Sequence, residues 1–378
     1  MTHRDPPDLR LFGLAGGAWL AAVAVVPASA ATAVATAVVA ALLAAGVGVA
    51  FAVLARRDPG RWAVGVLGAL VGVLLGVVCS GAAVAARTSA RDAPLLAGLV
   101  ADGAEVSAWV VVSDDPKRLV SVAGPPTYLV RGTLERVGGV DLDARVVVLA
   151  TDVGWASLLP GQRVRTVARL AEPRPGDLTA AVLRVRGAPE HLGEPPWAQR
   201  AAGRLRAGLQ DAAQPLPDEP GGLLPGLVIG DTSRLDQALA EDFRATGLTH
   251  LVAVSGANVA IILAVVLAVC RRCRAGPWVC VAVCALVLVG FVILARPSPS
   301  VLRAAAMGAV GLLALGTGRR RAAAPTLAAA VFVLVLVDPD LARDPGFALS
   351  ALATGGLILL APRWRDALAA RRVPGVLA

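Results

Sequence analysis

Histidine is scarce in this chain: only His3, His191 and His250 stand among 378 residues. None belongs to an H-x-H or H-E-x-x-H cluster, so a catalytic zinc site cannot be assembled from them. A glycine-rich phosphate loop ending in lysine is also missing, which leaves any nucleotide-derived energy to a partner. The five cysteines, Cys79, Cys270, Cys273, Cys280 and Cys284, lie in or beside apolar runs, and the polar middle of the chain has none. That distribution excludes a disulfide scaffold. Cys270 and Cys273 have C-x-x-C spacing, but they flank two arginines without a second pair or a nearby histidine. Charged residues make up 17% and aromatics 4%, and internal repeats are absent. We therefore expect no enzyme, no cofactor and no metal.

What is present in excess is apolar sequence. Hydrophobic residues reach 56% and mean hydropathy is +0.69, values that define a polytopic membrane protein rather than a soluble domain. The net charge of +9 would suggest nucleic acid in a soluble protein. Here the arginines collect in short loops between apolar runs, where they set orientation first. Leu11 to Ala55 is twice the ~20 residues of one crossing, with Pro27 near its middle, and predicts two helices in a tight hairpin. Trp62 to Ala86 predicts a third. The first run lacks a small-residue cleavage site and reads as a retained anchor. Arg56, Arg57 and Arg61 belong on the cytoplasmic side, so the amino terminus is expected inside and Arg87 outside.

From Arg87 to about Pro196 the pattern changes to short β-type runs. Strands are expected over Glu105 to Val112, Tyr128 to Val137, Ala144 to Ala150, Arg163 to Ala171 and Thr179 to Arg186, with turns at Gly138-Gly139 and around Pro173 to Gly176. Five strands in about a hundred residues predict a small barrel or sandwich. Acids and bases nearly balance there and aromatics are few, which argues against a nucleic-acid surface. Trp197 to Gln214 predicts an amphipathic helix with Arg200, Arg204 and Arg206 on its polar side. Pro215 to Gly222 reads as a link, Leu223 to Ile229 as a surface or re-entrant element too short to span, and Leu235 to Arg244 as a polar helix.

Beyond this point apolar runs alternate with charged loops. Arginine clusters at 271–274, 319–321 and 363–372 fall on alternate loops, and an acidic loop carries Asp338, Asp340 and Asp344. Five further crossings put every arginine-rich loop inside, giving about eight transmembrane helices with both termini cytoplasmic and an extracytoplasmic β domain. The expected divisions are residues 1–86, a three-helix membrane region; 87–196, the β domain; 197–245, an amphipathic and re-entrant linker; and 246–378, a second membrane domain.

The stretch Ala245 to Val266 carries His250, Ser255 and Asn258 into the start of an apolar run. An unpaired polar group in lipid is costly, so these residues should face protein or water. Ser255 and His250 project about 140° apart on a helix, which argues against a nucleophile and base, while Asn258 falls between them to make one polar wedge. Helix packing, a small-solute transporter and a partner-binding membrane scaffold are readings that such a wedge also allows.

Gly247 to Val259 (GLTHLVAVSGANV) resembles the signature of the ComEC family of competence proteins, membrane channels through which bacteria import single-stranded DNA. Leu223 to Asp231, with Gly230 and Asp231, is similar to the segment leading into that region. Pro297-Ser298-Pro299-Ser300 followed by Arg303 resembles the family's proline-serine loop, and Asp344-Pro345-Gly346-Phe347-Ala348-Leu349-Ser350 its later "GFQLS" element. The resemblance implies a pathway lined or braced by His250, Ser255, Gly256 and Asn258, with Arg303 attracting phosphates, and an oligonucleotide-binding (OB)-like barrel outside. Asn258 stands where the family usually has a second histidine. The implied partners are single-stranded DNA, membrane lipid, a DNA receptor, a cytoplasmic motor helicase and further copies of the chain. Longer members continue with more helices and a metallo-β-lactamase-like domain, which this sequence, ending at Ala378, does not include. Asp231, Asp338 and Asp344 are expected as caps and loop contacts rather than DNA contacts, because phosphate repels them.

Overall fold

The computed structural model describes residues 10–55, 61–119, 126–174, 176–247, 256–317 and 323–370. Three helices open the chain: α1 (Arg10–Val25), α2 (Ala30–Ala55) and α3 (Arg61–Arg91). Their close approach is written in glycine. A Cβ at Gly76 would lie 2.2 Å from the Leu14 carbonyl oxygen, and one at Gly17 would lie 2.3 Å from that of Val73. With no hydrophobic force between helices in lipid, such backbone contact is what holds them. The third helix runs past the expected end at Ala86 to Arg91, because nothing breaks it before Pro94. Arg87 therefore stays helical and donates to the carbonyls of Leu336 and Val337.

A short helix, α4 (Pro94–Ala101), leads into the β domain, formed by β1 (Glu105–Val112), β2 (Lys117–Leu119), β3 (Thr127–Val137), β4 (Val140–Ala150), β5 (Arg163–Ala171), β6 (Ala181–Val185) and β7 (Glu190–His191). Five strands close in the order β1-β3-β4-β6-β5-β1, while β2 adds to β3 and β7 to β5. All pairs in the ring are antiparallel except β4–β6. Closure leaves no free sheet edge inside the ring. The expected alternation holds on β5, where Arg163, Arg165 and Arg169 face out and Val164, Ala168 and Leu170 face in. Gly138 and Gly139, at φ 55° and 89°, make the two-residue turn between β3 and β4, a left-handed pair that costs other residues dearly. Inside, Trp155 is fully buried with its Nε1 donating to the Gly187 carbonyl at 3.0 Å, and Leu96 of α4 packs into the same core.

Helices α5 (Trp197–Ala213), α6 (Asp218–Ile229) and α7 (Gln237–Ala245) follow. The expected link at 215–222 and short apolar element at 223–229 are instead largely one helix, α6. Asp218 and Glu219 favour its first turn and Pro225 sits within it. It ends at Gly230 in the left-handed conformation, φ 73°.

The last apolar helices are α8 (Gly256–Arg272), α9 (Pro277–Ala295), α10 (Pro299–Gly316), α11 (Ala323–Val337) and α12 (Pro345–Ala370). By length and composition α2, α3, α9 and α10 can each cross a membrane; α1, α11 and the first part of α12 are shorter apolar helices. The apolar core of the bundle joins α1 and α3 to α11 and α12: Ala18, Ala22 and Val84 pack with Leu327, Val331, Val335 and the fully buried Phe347. Trp19 seals the end of this cluster, stacking obliquely on Phe347 (centroids 5.3 Å apart) and donating to the Ala342 carbonyl at 2.8 Å. A second cluster holds α8, α9 and α10 together through Val259, Cys284, Leu288 and Leu312.

Candidate functional site

Pro299 opens α10 at its first position, where the missing N–H is harmless, and Ser298 caps it by accepting from Val301 N. Arg303 follows one turn later. Its Nε donates to Ser350 Oγ and its Nη1 to Thr354 Oγ1, both at 2.8 Å, on successive turns of α12. Asp344 starts that helix by accepting from Phe347 N at 2.7 Å, with Gly346 leaving room beside the carboxylate. Two motif segments that are separate in sequence thus meet: the proline-serine loop supplies the arginine, and the segment from Asp344 supplies Ser350. Among the described residues no carboxylate pairs with Arg303.

The guanidinium lines a groove of about 560 Å³ between α8 and α10, with Thr354 on its wall. Gly256, the first residue of α8, borders it: a Cβ there would lie 3.4 Å from Ala304 and 3.7 Å from Arg303 Nη2. Asn258 turns away to the neighbouring segment, donating from Nδ2 to the Leu227 carbonyl of α6 at 3.3 Å. His250 and Ser255, and with them the expected polar wedge, lie outside the described residues. Gly247, at φ 70°, follows the end of α7. Pro297 lies in the loop before α10.

Asp231 has a larger part than a cap. It is 5% exposed and accepts from Gln210 Nε2 at 2.7 Å, from Ser233 Oγ at 2.7 Å and from Ser233 N at 3.1 Å. Arg206 Nη2 lies 3.2 Å from the same carboxylate and 3.5 Å from Asp115. Asp115 in turn takes a two-point grip from Arg296, at 2.8 and 2.7 Å. Arg206 is therefore not on the polar side of its helix, as expected, but largely buried, with Nη1 on the Leu294 carbonyl. Arg296 holds a left-handed φ of 67°, unfavourable for any residue with a Cβ, and its side chain is fixed by Asp115 and Gln199. This clamp ties the loop after β1 to α5, to the end of α6 and to the loop between α9 and α10. Burial works against the Asp231 carboxylate, but hydrogen bonds from Ser233 and the charge of Arg206 outweigh it and hold its carboxyl below the usual range.

A second junction joins the barrel to the loop between α11 and α12. Arg145 of β4 reaches Asp338 at 2.8 Å and Asp340 at 3.0 Å, Asp340 accepts from Leu178 N at 3.2 Å, and Arg343 donates to the Gly176 carbonyl. Asp338 also caps the short 3-10 turn Pro339–Arg343 by accepting from Asp340 N. Burial, with Asp338 and Asp177 nearby, pushes the Asp340 carboxyl up against the pull of Arg145. Arg91, at the end of α3, donates to Val26, Ala28 and Asp177 carbonyls, adding the turn between α1 and α2. Sequence reasoning missed both junctions.

The barrel carries a larger cleft of about 1400 Å³, in which Arg165, Arg169, Arg184 and Arg186 are interspersed with Glu105, Glu172 and Glu190. Its mixed charge suits no polyanion. Among the described residues no three histidine, cysteine or carboxylate side chains converge on a metal position.

An apolar helical bundle, a largely apolar groove with Arg303 at one end, and a barrel clamped to the bundle define a helical membrane protein with an inserted β domain. Residues 227–377, about two fifths of the chain, match the family model described as "Competence protein". The chain is similar to ComE operon protein 3 of Bacillus subtilis (strain 168), with 30% identity over 144 residues, 38% of this chain and 19% of that protein. The chain thus aligns with about a fifth of that relative's length. No solved structure matches the chain.

Proposed function

We propose that this chain forms part of a cell-membrane channel that takes up single-stranded DNA in competent cells. The observation that carries this reading is Arg303: a cation beside the start of α8, in an otherwise apolar groove, with hydroxyls as its partners and no carboxylate to neutralise it among the described residues. A passing phosphodiester would supply the missing charge regardless of base sequence. Gly256 keeps that approach narrow, Asn258 braces α8 against α6, and His250 and Ser255 precede it on the same segment. The competence-family match over residues 227–377 gives the reading its direction.

Eight crossings by α1–α3 and α8–α12 fit the arginine clusters, with both termini cytoplasmic. The helix ends that touch the barrel or its clamp are the carboxyl ends of α1, α3, α9 and α11 and the amino ends of α2, α10 and α12, the alternation that such a topology requires. Residues 87–196 then form an extracytoplasmic domain over the mouth, linked by 197–245 to the channel domain. Its closed five-strand ring, with one parallel pair, supports reading it as an OB-like barrel. A receptor would deliver the strand and a cytoplasmic motor helicase would draw it inward; the chain itself does no chemistry.

The test is uptake of labelled DNA and transformation frequency in cells with the intact gene, a deletion, His250→Ala or Arg303→Ala, at matched membrane abundance. Loss of internalisation with surface-bound DNA retained is the expected result. Undiminished uptake in the deletion strain overturns the channel reading.

A further inference from the structure

The groove between α8 and α10 has two unlike ends. At one stand Arg303, Thr354 and Gly256; the other closes on Leu267 and Leu312, with Ala260, Ala264, Gly308 and Gly311 between. From Gly256 to Leu267 is eleven residues, about 16 Å at the helical rise, which equals the ~15 Å hydrocarbon depth of one leaflet. A 16 Å length of helix ~10 Å across would displace roughly 1,300 Å³, more than twice the 560 Å³ present. The space therefore suits an extended chain better than another helix.

The polar end is equally specific. A guanidinium has five N–H donors. Arg303 gives two to Ser350 and Thr354, and Nη1 also lies 3.8 Å from Met307 Sδ. Among the described residues Nη2 has no hydrogen-bond partner, and it stands beside Gly256. Nη2 can thus donate a charge-assisted hydrogen bond to an oxygen of a phosphodiester, whose negative charge the guanidinium also attracts.

We propose that this groove binds a phospholipid, one acyl chain lying along α8 and α10 and the phosphodiester held by Arg303. An anionic phospholipid fits best, because its head adds no cation beside the arginine. The lipid closes the groove when no strand is present, and a DNA phosphodiester, having the same charge and oxygens, competes for the same nitrogen. The lipid site stands apart from the uptake reading; only the competition rests on it.

The experiment titrates the purified full chain in detergent with palmitoyl-oleoyl phosphatidylglycerol and counts retained lipids by native mass spectrometry. Parallel titrations use inorganic phosphate and a thymidine oligonucleotide. Wild type should retain one lipid. Arg303→Gln should weaken retention at least tenfold and Arg303→Lys less than Arg303→Gln. Gly311→Leu should weaken it at least tenfold with the arginine intact, since a Cβ at Gly311 meets nothing within 4 Å and the side chain fills the groove. An unchanged melting temperature in Gly311→Leu separates a filled groove from a misfolded one, and Arg303→Gln carries the test if that variant does not fold. Equal retention in wild type, Arg303→Gln and Gly311→Leu overturns the proposal. So does phosphate binding as strongly as the lipid, which would mean an anion site without a chain site. Oligonucleotide binding that needs Arg303, with lipid retention indifferent to it, sinks the lipid site and leaves the uptake reading standing.

Discussion

Replacing Asp231 by asparagine keeps the shape of the clamp and removes its charge. The carboxylate accepts from Ser233 twice and from Gln210 once, and faces Arg206. Asparagine retains one acceptor oxygen, and its NH₂ must face a donor on Gln210 or Arg206. Breaking a buried ion pair on one side costs ~3–5 kcal/mol. Arg206 keeps Asp115 and the Leu294 carbonyl, which lowers the expected loss to about 2–3 kcal/mol. The assay is unfolding in mixed micelles followed by tryptophan fluorescence, with the buried Trp155 reporting the barrel. A double-mutant cycle with Arg206→Gln should return a coupling of about 1 kcal/mol or more, because the two side chains share one contact. Stability within ~0.5 kcal/mol of wild type for Asp231→Asn, or no coupling in the cycle, would refute the clamp as a source of stability.

Acid should erase part of that difference. A carboxyl held below its unfolded value contributes stability above about pH 4 and loses it as pH falls through the folded value; the gap between wild type and Asp231→Asn should therefore narrow below about pH 4 in an acid titration. Asp340 acts in the opposite sense: with its carboxyl pushed up, ionisation as pH rises above about 4 costs stability. Gly76→Ala should sharply reduce folded yield by size-exclusion chromatography, since its Cβ would strike the Leu14 carbonyl, whereas Gly46→Ala, facing open space, should match wild type. Arg145→Ala leaves Asp338 and Asp340 facing each other; it should cost about 1–2 kcal/mol at this part-exposed site and make residues 338–344 easier to cleave in limited proteolysis.

The strands were largely legible because their signals are local. Alternation and turn residues placed β1 and β5 at their observed limits, and Gly138-Gly139 marked the hairpin. Of the candidate site, the proline-serine loop and the segment from Asp344 were visible as separate motifs, but nothing local said that Arg303 would reach Ser350, 47 positions away. Asp115 and Arg296 are 181 positions apart, and no periodicity announces such a pair. Arg87 and Arg206 were expected at loops or in water because charge alone was counted; long side chains that find carbonyls can remain at a packed surface. The link expected at Pro215 to Gly222 misled for a physical reason: proline breaks a helix interior, but Pro220 lies in the first turn of α6, where its missing N–H costs nothing.

During synthesis the small-residue flanks of α1 and α3 emerge long before the helix that covers them. Roughly 230 residues separate the end of α3 from the start of α11, more than ten seconds of translation at usual rates. For that interval the first three helices are an unfinished layer, and Leu178, which packs into the same core, arrives only after most of the barrel has been made. Insertion and barrel folding are thereby made interdependent: a barrel that fails to form leaves α11 and α12 without part of their seat, so defects in the water-exposed domain should surface as failed membrane assembly.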